Sequence, residues 1–165
     1  MISNELFEAA SEVLGLCGGR NLTLATAESC TGGLIAAALT ATPGSSRVLD
    51  RGYVTYSNAA KHQDLGVPAD LIETKGAVSE EVARAMARGA IEKASVDLAL
   101  SVTGIAGPDG GTPQKPVGLV HIAAAHRGGK ALHRECRYGN IGRGEVRRLS
   151  ALAALALMKE LIGQL

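Results

Sequence analysis

The chain has 165 residues, a length that suits one domain with a sizeable buried core. A net charge of +1 and an aromatic content of 2 % argue against general nucleic-acid binding, which needs a basic surface or rings on which bases stack. Three cysteines form no paired pattern and argue against a disulfide framework. We therefore expect a cytoplasmic protein with reduced thiols, no signal peptide, no membrane association and no stable nucleic-acid partner.

The first half of the chain alternates helical and strand patterns. The first residues are apolar at helical spacing, which predicts a helix. The runs that follow are short or alternate between apolar and polar residues, which predicts strands. The segments predicted there are a helix over 4–17, a strand over 21–27, a helix over 34–42, a strand over 47–57 and a short helix over 58–65.

The second half continues this alternation after a short turn or helix near Pro68. Ser79 is a suitable N-cap, with Glu80 and Glu81 in the first helical turn, where they favour the helix dipole. The predicted segments are a helix from there to about Lys93, strands over 96–107, 116–126 and 131–139, and a helix over 143–163. The last two strands predict an antiparallel hairpin. The sequence thus predicts an α/β fold over residues 1–165: a three-layer α/β/α sandwich with a mixed, mostly parallel sheet.

The stretch AESCTGG, residues 27–33, places polar side chains where a strand becomes a helix. Open α/β sheets bind ligands at the carboxyl ends of their strands, where backbone N–H groups can hold an oxyanion. Ser29 is therefore a candidate nucleophile at this corner. Two other interpretations stay open: a serine that only caps the helix, and Cys30 as the nucleophile, since a helix N-terminus lowers a thiol pKa.

A second candidate group lies in YVTYSNAAK, residues 53–61. Lys61 can act as a general base only if burial or a nearby cation lowers its pKa toward neutrality. Tyr56 could relay a proton between this lysine and a serine. The alternative is a solvated lysine beside a half-buried strand tyrosine.

A third group lies in SVTGIAGPDGGTPQKPVGLV, residues 101–120, where a buried strand enters a glycine-rich loop. Gly104 and Gly107 would let the backbone approach a ligand closely. Thr103 could donate a hydrogen bond, and Lys115 could pair with a phosphate. A long surface loop is the alternative, but loops of this length between core strands more often serve a site.

Arg143 and Arg147 lie one turn apart at the start of the last predicted helix and could clamp a phosphate, although most such pairs are solvated. His133 and Cys136 lack a second ligand pair, so no metal site is predicted.

Taken together, these stretches resemble the CinA C-terminal domain family, also described as nicotinamide-nucleotide amidohydrolases. The similarity covers nearly the whole chain in one order and adds three further stretches: PGSS (43–46), GAVSEEVA (76–83) and GRGEVRR (142–148). Longer family members carry a second, N-terminal domain, and this chain resembles the stand-alone form. One departure is Gly142, which stands where the family's G-D-R stretch has an aspartate.

The resemblance implies hydrolysis of the carboxamide of nicotinamide mononucleotide to nicotinate mononucleotide and ammonia, a step of pyridine nucleotide salvage in NAD metabolism. It implies no metal or organic cofactor, and a homodimer is the default expectation. The catalytic residues implied are Ser29, Tyr56 and Lys61. The substrate-binding residues implied are Cys30, Thr31, Gly32, Ser46, Thr103, Gly104, Ala106, Gly107, Lys115 and Arg143.

One alternative of a different class stays open. A non-catalytic nucleotide-binding or regulatory module, linked to competence or DNA damage, could use the same fold. The joint presence of Ser29, Tyr56 and Lys61 argues against it, since a pure binder has no evident need for all three.

Overall fold

The structure is a computed structural model that describes residues 1–165. It contains six α-helices and five strands, with a single 3₁₀ turn at Ser45–Arg47. The helices are α1 (Asn4–Gly19), α2 (Leu34–Thr40), α3 (Asn58–Leu65), α4 (Ala69–Lys75), α5 (Glu80–Ala94) and α6 (Arg143–Gly163). The strands are β1 (Leu24–Glu28), β2 (Leu49–Val54), β3 (Leu98–Gly104), β4 (Leu119–His126) and β5 (Ala131–Arg137).

The five strands form one mixed sheet in the order β2-β1-β3-β4-β5. β1 runs parallel to both β2 and β3, whereas β4 is antiparallel to its neighbours β3 and β5. Four strands therefore share one direction and β4 alone opposes them. The predicted mixed, mostly parallel sheet is confirmed, and so is the hairpin of β4 and β5. The carboxyl ends of β1, β2 and β3 meet at one edge of the sheet, which we call the carboxyl edge.

Helices cover both faces of the sheet, which confirms the predicted three layers. Alternate residues of the central strands face opposite layers. Leu98, Leu100 and Val102 of β3 pack with α1, α2 and α6, while Ala25 and Ala99 pack with α5. No helix is both long enough and apolar enough to cross a membrane.

The helix that carries Lys61 is held close to α5 by a glycine. A Cβ atom added to Gly89 of α5 would lie 1.9 Å from the carbonyl oxygen of Leu65, the last residue of α3. Any side chain at this position would push α3 away from α5. Gly89 thus fixes the depth at which α3 lies against the rest of the domain.

Several predicted strands are shorter in the structure than the sequence patterns indicate. The predicted strand over 21–27 begins as β1 only at Leu24, because the backbone amide and hydroxyl of Thr23 both bond to the Asp97 carboxylate at 2.9 Å. The predicted strand over 47–57 is preceded by the 3₁₀ turn and reduces to β2. The order and type of the major elements agree with the prediction.

Candidate active site

The corner at the end of β1 is organised by the buried carboxylate of Glu28. This side chain is fully buried and accepts hydrogen bonds from the backbone amides of Gly33, Ile35 and Ala36, at 3.1, 3.1 and 2.9 Å. A carboxylate at the start of a helix satisfies N–H groups that have no partner within the helix. Glu28 therefore ties the start of α2 to the end of β1.

Ser29 follows Glu28 directly and lies at the carboxyl edge, as expected. Its amide donates to the carbonyl of Val102 at 2.9 Å, and its carbonyl accepts from the amide of Gly32 at 3.0 Å. Gly32 and Gly33 have φ angles of 60° and 92°, a backbone conformation that favours glycine and closes the turn. The sequence pattern of this corner thus folds into a tight turn that presents the serine hydroxyl.

Lys61 reaches the same corner from α3. Its Nζ lies 3.0 Å from Oγ of Ser29 and donates to the carbonyl of Thr55 at 2.9 Å. The lysine is 1 % exposed, and both partners are uncharged. Removal of an ammonium group from water disfavours its charged form, so burial lowers the pKa of Lys61 below its ordinary value of 10.5. The structure therefore places a serine hydroxyl against a buried lysine amine whose pKa burial lowers.

Cys30, the alternative nucleophile, lies in an apolar environment that keeps its thiol protonated. Its side chain is 4 % exposed and belongs to the apolar core. Burial raises the pKa of the Cys30 thiol to about 12. Because the thiolate is the nucleophilic form, this environment disfavours cysteine chemistry.

Tyr56 and Arg143 form a bridge at the mouth of the site. Tyr56 is exposed, and its hydroxyl accepts a hydrogen bond of 2.6 Å from Nη2 of Arg143. Nη1 of Arg143 donates to the carbonyl of Gly107 at 2.9 Å. Lys61 contacts Ser29 directly, so Tyr56 does not lie between them. The start of α6 is thereby linked to the Tyr56 segment and to the glycine-rich loop.

A cavity of about 270 Å³ lies among these elements. Its walls are formed by the ends of β1 and β3, by α3, by the loop before α5, by the glycine-rich loop and by the start of α6. The expected site residues that line it are Ser29, Cys30, Tyr56, Lys61, Thr103, Gly104, Ala106, Gly107 and Arg143.

Four expected residues do not line this cavity. Thr31 is fully buried, and its carbonyl accepts from Arg147 at 3.0 Å, while Gly32 belongs to the turn. Lys115 is directed elsewhere and donates to the carbonyl of Lys75 at 2.6 Å. Ser46 lies in the exposed 3₁₀ turn that precedes β2, at the end of the sheet opposite the carboxyl edge. Ser46 is thus at the other end of the sheet from Ser29, and the Lys115 amine is bonded to the Lys75 carbonyl outside the cavity lining.

Several lining residues were not singled out from the sequence. Ala77 and Val78 lie just before the N-cap of α5, and Thr103 donates to the carbonyl of Ala77 at 2.8 Å. Asp109 also lines the cavity, and so does Asn58, which the sequence places with Tyr56 and Lys61 at the strand-to-helix corner. An aspartate followed by a glycine, as at Asp109-Gly110, predicts a turn, but this pattern does not indicate which way the aspartate side chain points. No group of three or more histidine, cysteine, aspartate or glutamate side chains is arranged to hold a metal ion.

The fold and the site define a three-layer α/β domain with a hydrogen-bonded serine and buried lysine at the carboxyl edge of its parallel strands. The family model described as the CinA C-terminal domain matches residues 7–162. The chain therefore belongs to the CinA C-terminal domain family.

Relatives and solved structures agree with this assignment. The chain is 50 % identical over 145 residues to a putative competence-damage inducible protein of Acetivibrio thermocellus, covering 88 % of this chain and 35 % of the relative. It is 59 % identical over 134 residues to a CinA-like protein of Citrifermentans bemidjiense, covering 81 % and 32 %. The chain thus spans about a third of the length of these curated relatives.

Among solved structures, the competence/damage inducible protein CihA from Agrobacterium tumefaciens superposes with a TM-score of 0.95 at 47 % identity. The superposition covers 99 % of this chain and 98 % of that one. A CinA superfamily protein from Escherichia coli superposes with a TM-score of 0.85 at 34 % identity and covers 98 % and 90 % of the two chains.

Proposed function

We propose that the chain hydrolyses the carboxamide of nicotinamide mononucleotide and releases nicotinate mononucleotide and ammonia. The observation that carries the proposal is the distance of 3.0 Å between Nζ of Lys61 and Oγ of Ser29, with the lysine 1 % exposed. A module that only binds a nucleotide has no need to bury an amine against a serine, because burial of an ionisable group is unfavourable. The choice of this substrate rests on the resemblance of the motifs to the family described above.

In the proposed reaction Ser29 attacks the carboxamide carbon and Lys61 takes the serine proton. A neutral amine has one lone pair and two N–H bonds. It can accept from the Ser29 hydroxyl while it donates to the Thr55 carbonyl, which fixes its orientation. The lowered pKa of Lys61 increases the fraction of the amine that can accept a proton near neutral pH.

The oxyanion that forms in this attack needs hydrogen-bond donors. The α2 amides of Ile35 and Ala36 are already occupied by Glu28. The backbone amide of Cys30 donates to no backbone carbonyl, follows the nucleophile directly and belongs to a residue that lines the cavity. We assign the oxyanion to this amide, and one such donor typically stabilises the transition state by about 3 kcal/mol.

The tetrahedral intermediate then expels ammonia. Protonated Lys61 returns its proton to the leaving nitrogen as the carbon–nitrogen bond breaks, which leaves an acyl ester on Ser29. Water adds to this ester with Lys61 again as the base. Cleavage of the ester bond frees the carboxylate and restores the serine hydroxyl.

The ribose phosphate is assigned to the mouth of the cavity. The guanidinium of Arg143 has only uncharged acceptors, Tyr56 and Gly107, so its charge is available to a phosphate. The backbone amides of Ala106 and Gly107 also donate to no acceptor within the protein. Tyr56 then serves to position Arg143 and the substrate rather than to relay a proton.

The test is ammonia release by the purified chain from nicotinamide mononucleotide, with free nicotinamide and the Ser29→Ala variant in parallel. We expect release from the nucleotide, little from the free amide, and only background release from a variant that melts like the wild type. Equal rates for wild type and Ser29→Ala would contradict the assigned nucleophile. Binding of the nucleotide without any ammonia release would favour the non-catalytic regulatory module.

A further inference from the structure

The cavity around Ser29 carries charges of both signs. Asp109 is the only acidic residue among those that line it, and Lys61 and Arg143 are the only basic ones. Lys61 is 1 % exposed and contacts Ser29, whereas Asp109 and Arg143 are exposed, so these last two carry the charges at the mouth of the cavity. The cavity therefore presents one negative and one positive group to a bound molecule.

These two charges are not neutralised within the protein. Asp109 takes part in none of the side-chain hydrogen bonds or ion pairs of the structure, and its residue is exposed on the glycine-rich loop. Arg143 bonds to a hydroxyl and a carbonyl, not to a carboxylate. Both groups can therefore act on a ligand without first breaking an ion pair.

We infer that Asp109 selects substrates whose nicotinamide ring is positively charged. The inference rests on the proposed function and gives Asp109 a specificity role within it: discrimination between the cationic pyridinium ring of nicotinamide mononucleotide and an uncharged ring. Nicotinamide mononucleotide has a fixed positive charge on the ring nitrogen and a negative charge on the phosphate. These charges match Asp109 and Arg143, and the reacting carboxamide on the same ring faces Ser29. Opposite charges that face each other across an interface contribute mainly to specificity.

A ribose contact is the competing role for Asp109, since a carboxylate also accepts hydrogen bonds from sugar hydroxyls. The two roles differ in their response to the charge on the ring. The reduced form of nicotinamide mononucleotide, with a dihydropyridine ring, keeps the carboxamide, ribose and phosphate but has an uncharged ring. Comparison of the two compounds in one variant separates ring charge from sugar binding.

The experiment measures kcat/KM of the wild type, Asp109→Asn and Asp64→Asn for both compounds. Asp64 is an exposed residue of α3 outside the cavity and serves as the matched control. For Asp109→Asn we expect about a tenfold loss with the cationic substrate, mostly in KM, and less than about a twofold change with the reduced compound. The loss should shrink at high ionic strength because salt screens exposed charges. Asp64→Asn should match the wild type with both.

Because each compound is compared with itself across variants, the different reactivity of the two rings cancels. If the reduced compound binds without turnover, its inhibition constant replaces kcat/KM. Equal losses with both compounds, or no loss with either, would overturn the role of Asp109. A wild type that releases ammonia from neither compound contradicts the proposed function instead. In that case calorimetry gives the dissociation constants of both compounds for the same variants. Weaker binding of the cationic compound alone in Asp109→Asn supports the role of Asp109, and equal losses with both compounds, or no loss with either, overturn it.

Discussion

Two serine-containing turns flank the first parallel strands of the sheet. They differ in their position in the sheet, in the exposure of the serine and in its contacts. Ser29 lies at the carboxyl edge after β1, is 7 % exposed and touches the buried amine of Lys61. Ser46 lies in the turn before β2, at the opposite end of the sheet, and is exposed. Each turn contains glycines, and the resemblance placed both at the site.

Under the proposed function, the two serines differ in reactivity because their neighbours differ, and not because of their motifs. A hydroxyl is a weak nucleophile unless a base can take its proton. The Ser29 corner has the Lys61 amine within hydrogen-bond distance, on a helix, α3, that packs closely against α5 at Gly89. No lysine or histidine side chain hydrogen-bonds to Ser46 in the structure. This contrast predicts large losses of activity for changes at Lys61 and small ones for changes at Ser46.

Removal of the Lys61 amine should have the largest effect. Lys61→Met keeps most of the side-chain volume but removes the proposed base, and general-base catalysis typically contributes about 10²- to 10⁴-fold to a rate. We expect a kcat loss in that range for ammonia release from nicotinamide mononucleotide. Lys93→Met, at an exposed position on α5, is the control and should retain wild-type activity. Comparable activity of the two variants would mean that Lys61 is not the base.

Loss of the Glu28 carboxylate should destabilise the corner itself. Glu28→Ala leaves three backbone amides at the start of α2 without a partner. Unsatisfied buried groups typically cost about 1–3 kcal/mol each, and we expect the free energy of unfolding in urea to fall by about 3 kcal/mol. The exposed Glu135→Ala on β5 should change it by less than about 0.5 kcal/mol. A Glu28→Ala chain as stable as the control would show that these bonds contribute nothing.

Lys61 should also make stability depend on pH. Its pKa is lowered in the folded chain, so below pH 10.5 the unfolded chain binds more protons and the free energy of unfolding rises with pH. The stabilising contribution is complete above pH 10.5 and is lost as pH falls toward the folded-state pKa. The slope is at most about 1.4 kcal/mol per pH unit. Urea unfolding between pH 7 and 10 should show a steeper rise for the wild type than for Lys61→Met. Parallel curves would argue that the amine is charged in the folded state.

Substitutions at Ser46 and Cys30 should have the smallest effects on activity. Ser46→Ala removes an exposed hydroxyl remote from the cavity, and Cys30→Ala removes a thiol that burial keeps protonated. We expect kcat/KM of both variants within about threefold of the wild type, with a stability loss of about 1 kcal/mol for Cys30→Ala alone. A loss of 100-fold or more in kcat/KM for Ser46→Ala would contradict this expectation. It would mean that the turn at Ser46 contributes to a site, for example the site of another copy of the chain.

Most of the fold could be predicted from the sequence, because helical spacing, caps and glycine breaks mark each element locally. The strand ends could not, since a side chain from a distant segment decides them. Asp97, for instance, takes the Thr23 amide out of the strand pairing.

The site was predictable only in part. The position of Ser29 follows from the strand-to-helix transition, and Lys61 was one of several lysines that could have been solvated. The partners of Glu28 and the orientations of Lys115 and Asp109 depend on how loops fold back onto the sheet. The resemblance supplied residue types at matching positions, but it carried no distances, and so it grouped Ser46 with residues at the other end of the sheet.

The most direct test of the account is the pH dependence of kcat/KM for nicotinamide mononucleotide in the wild type. If desolvated Lys61 is the base, kcat/KM rises with pH as the amine loses its proton and levels off below pH 10.5, and Lys61→Met loses this rise. Two results would contradict the claim that burial prepares Lys61 to activate Ser29. One is an unchanged rise with pH in the residual activity of Lys61→Met. The other is a wild-type kcat/KM that levels off only near pH 10.5, the ordinary pKa of a lysine.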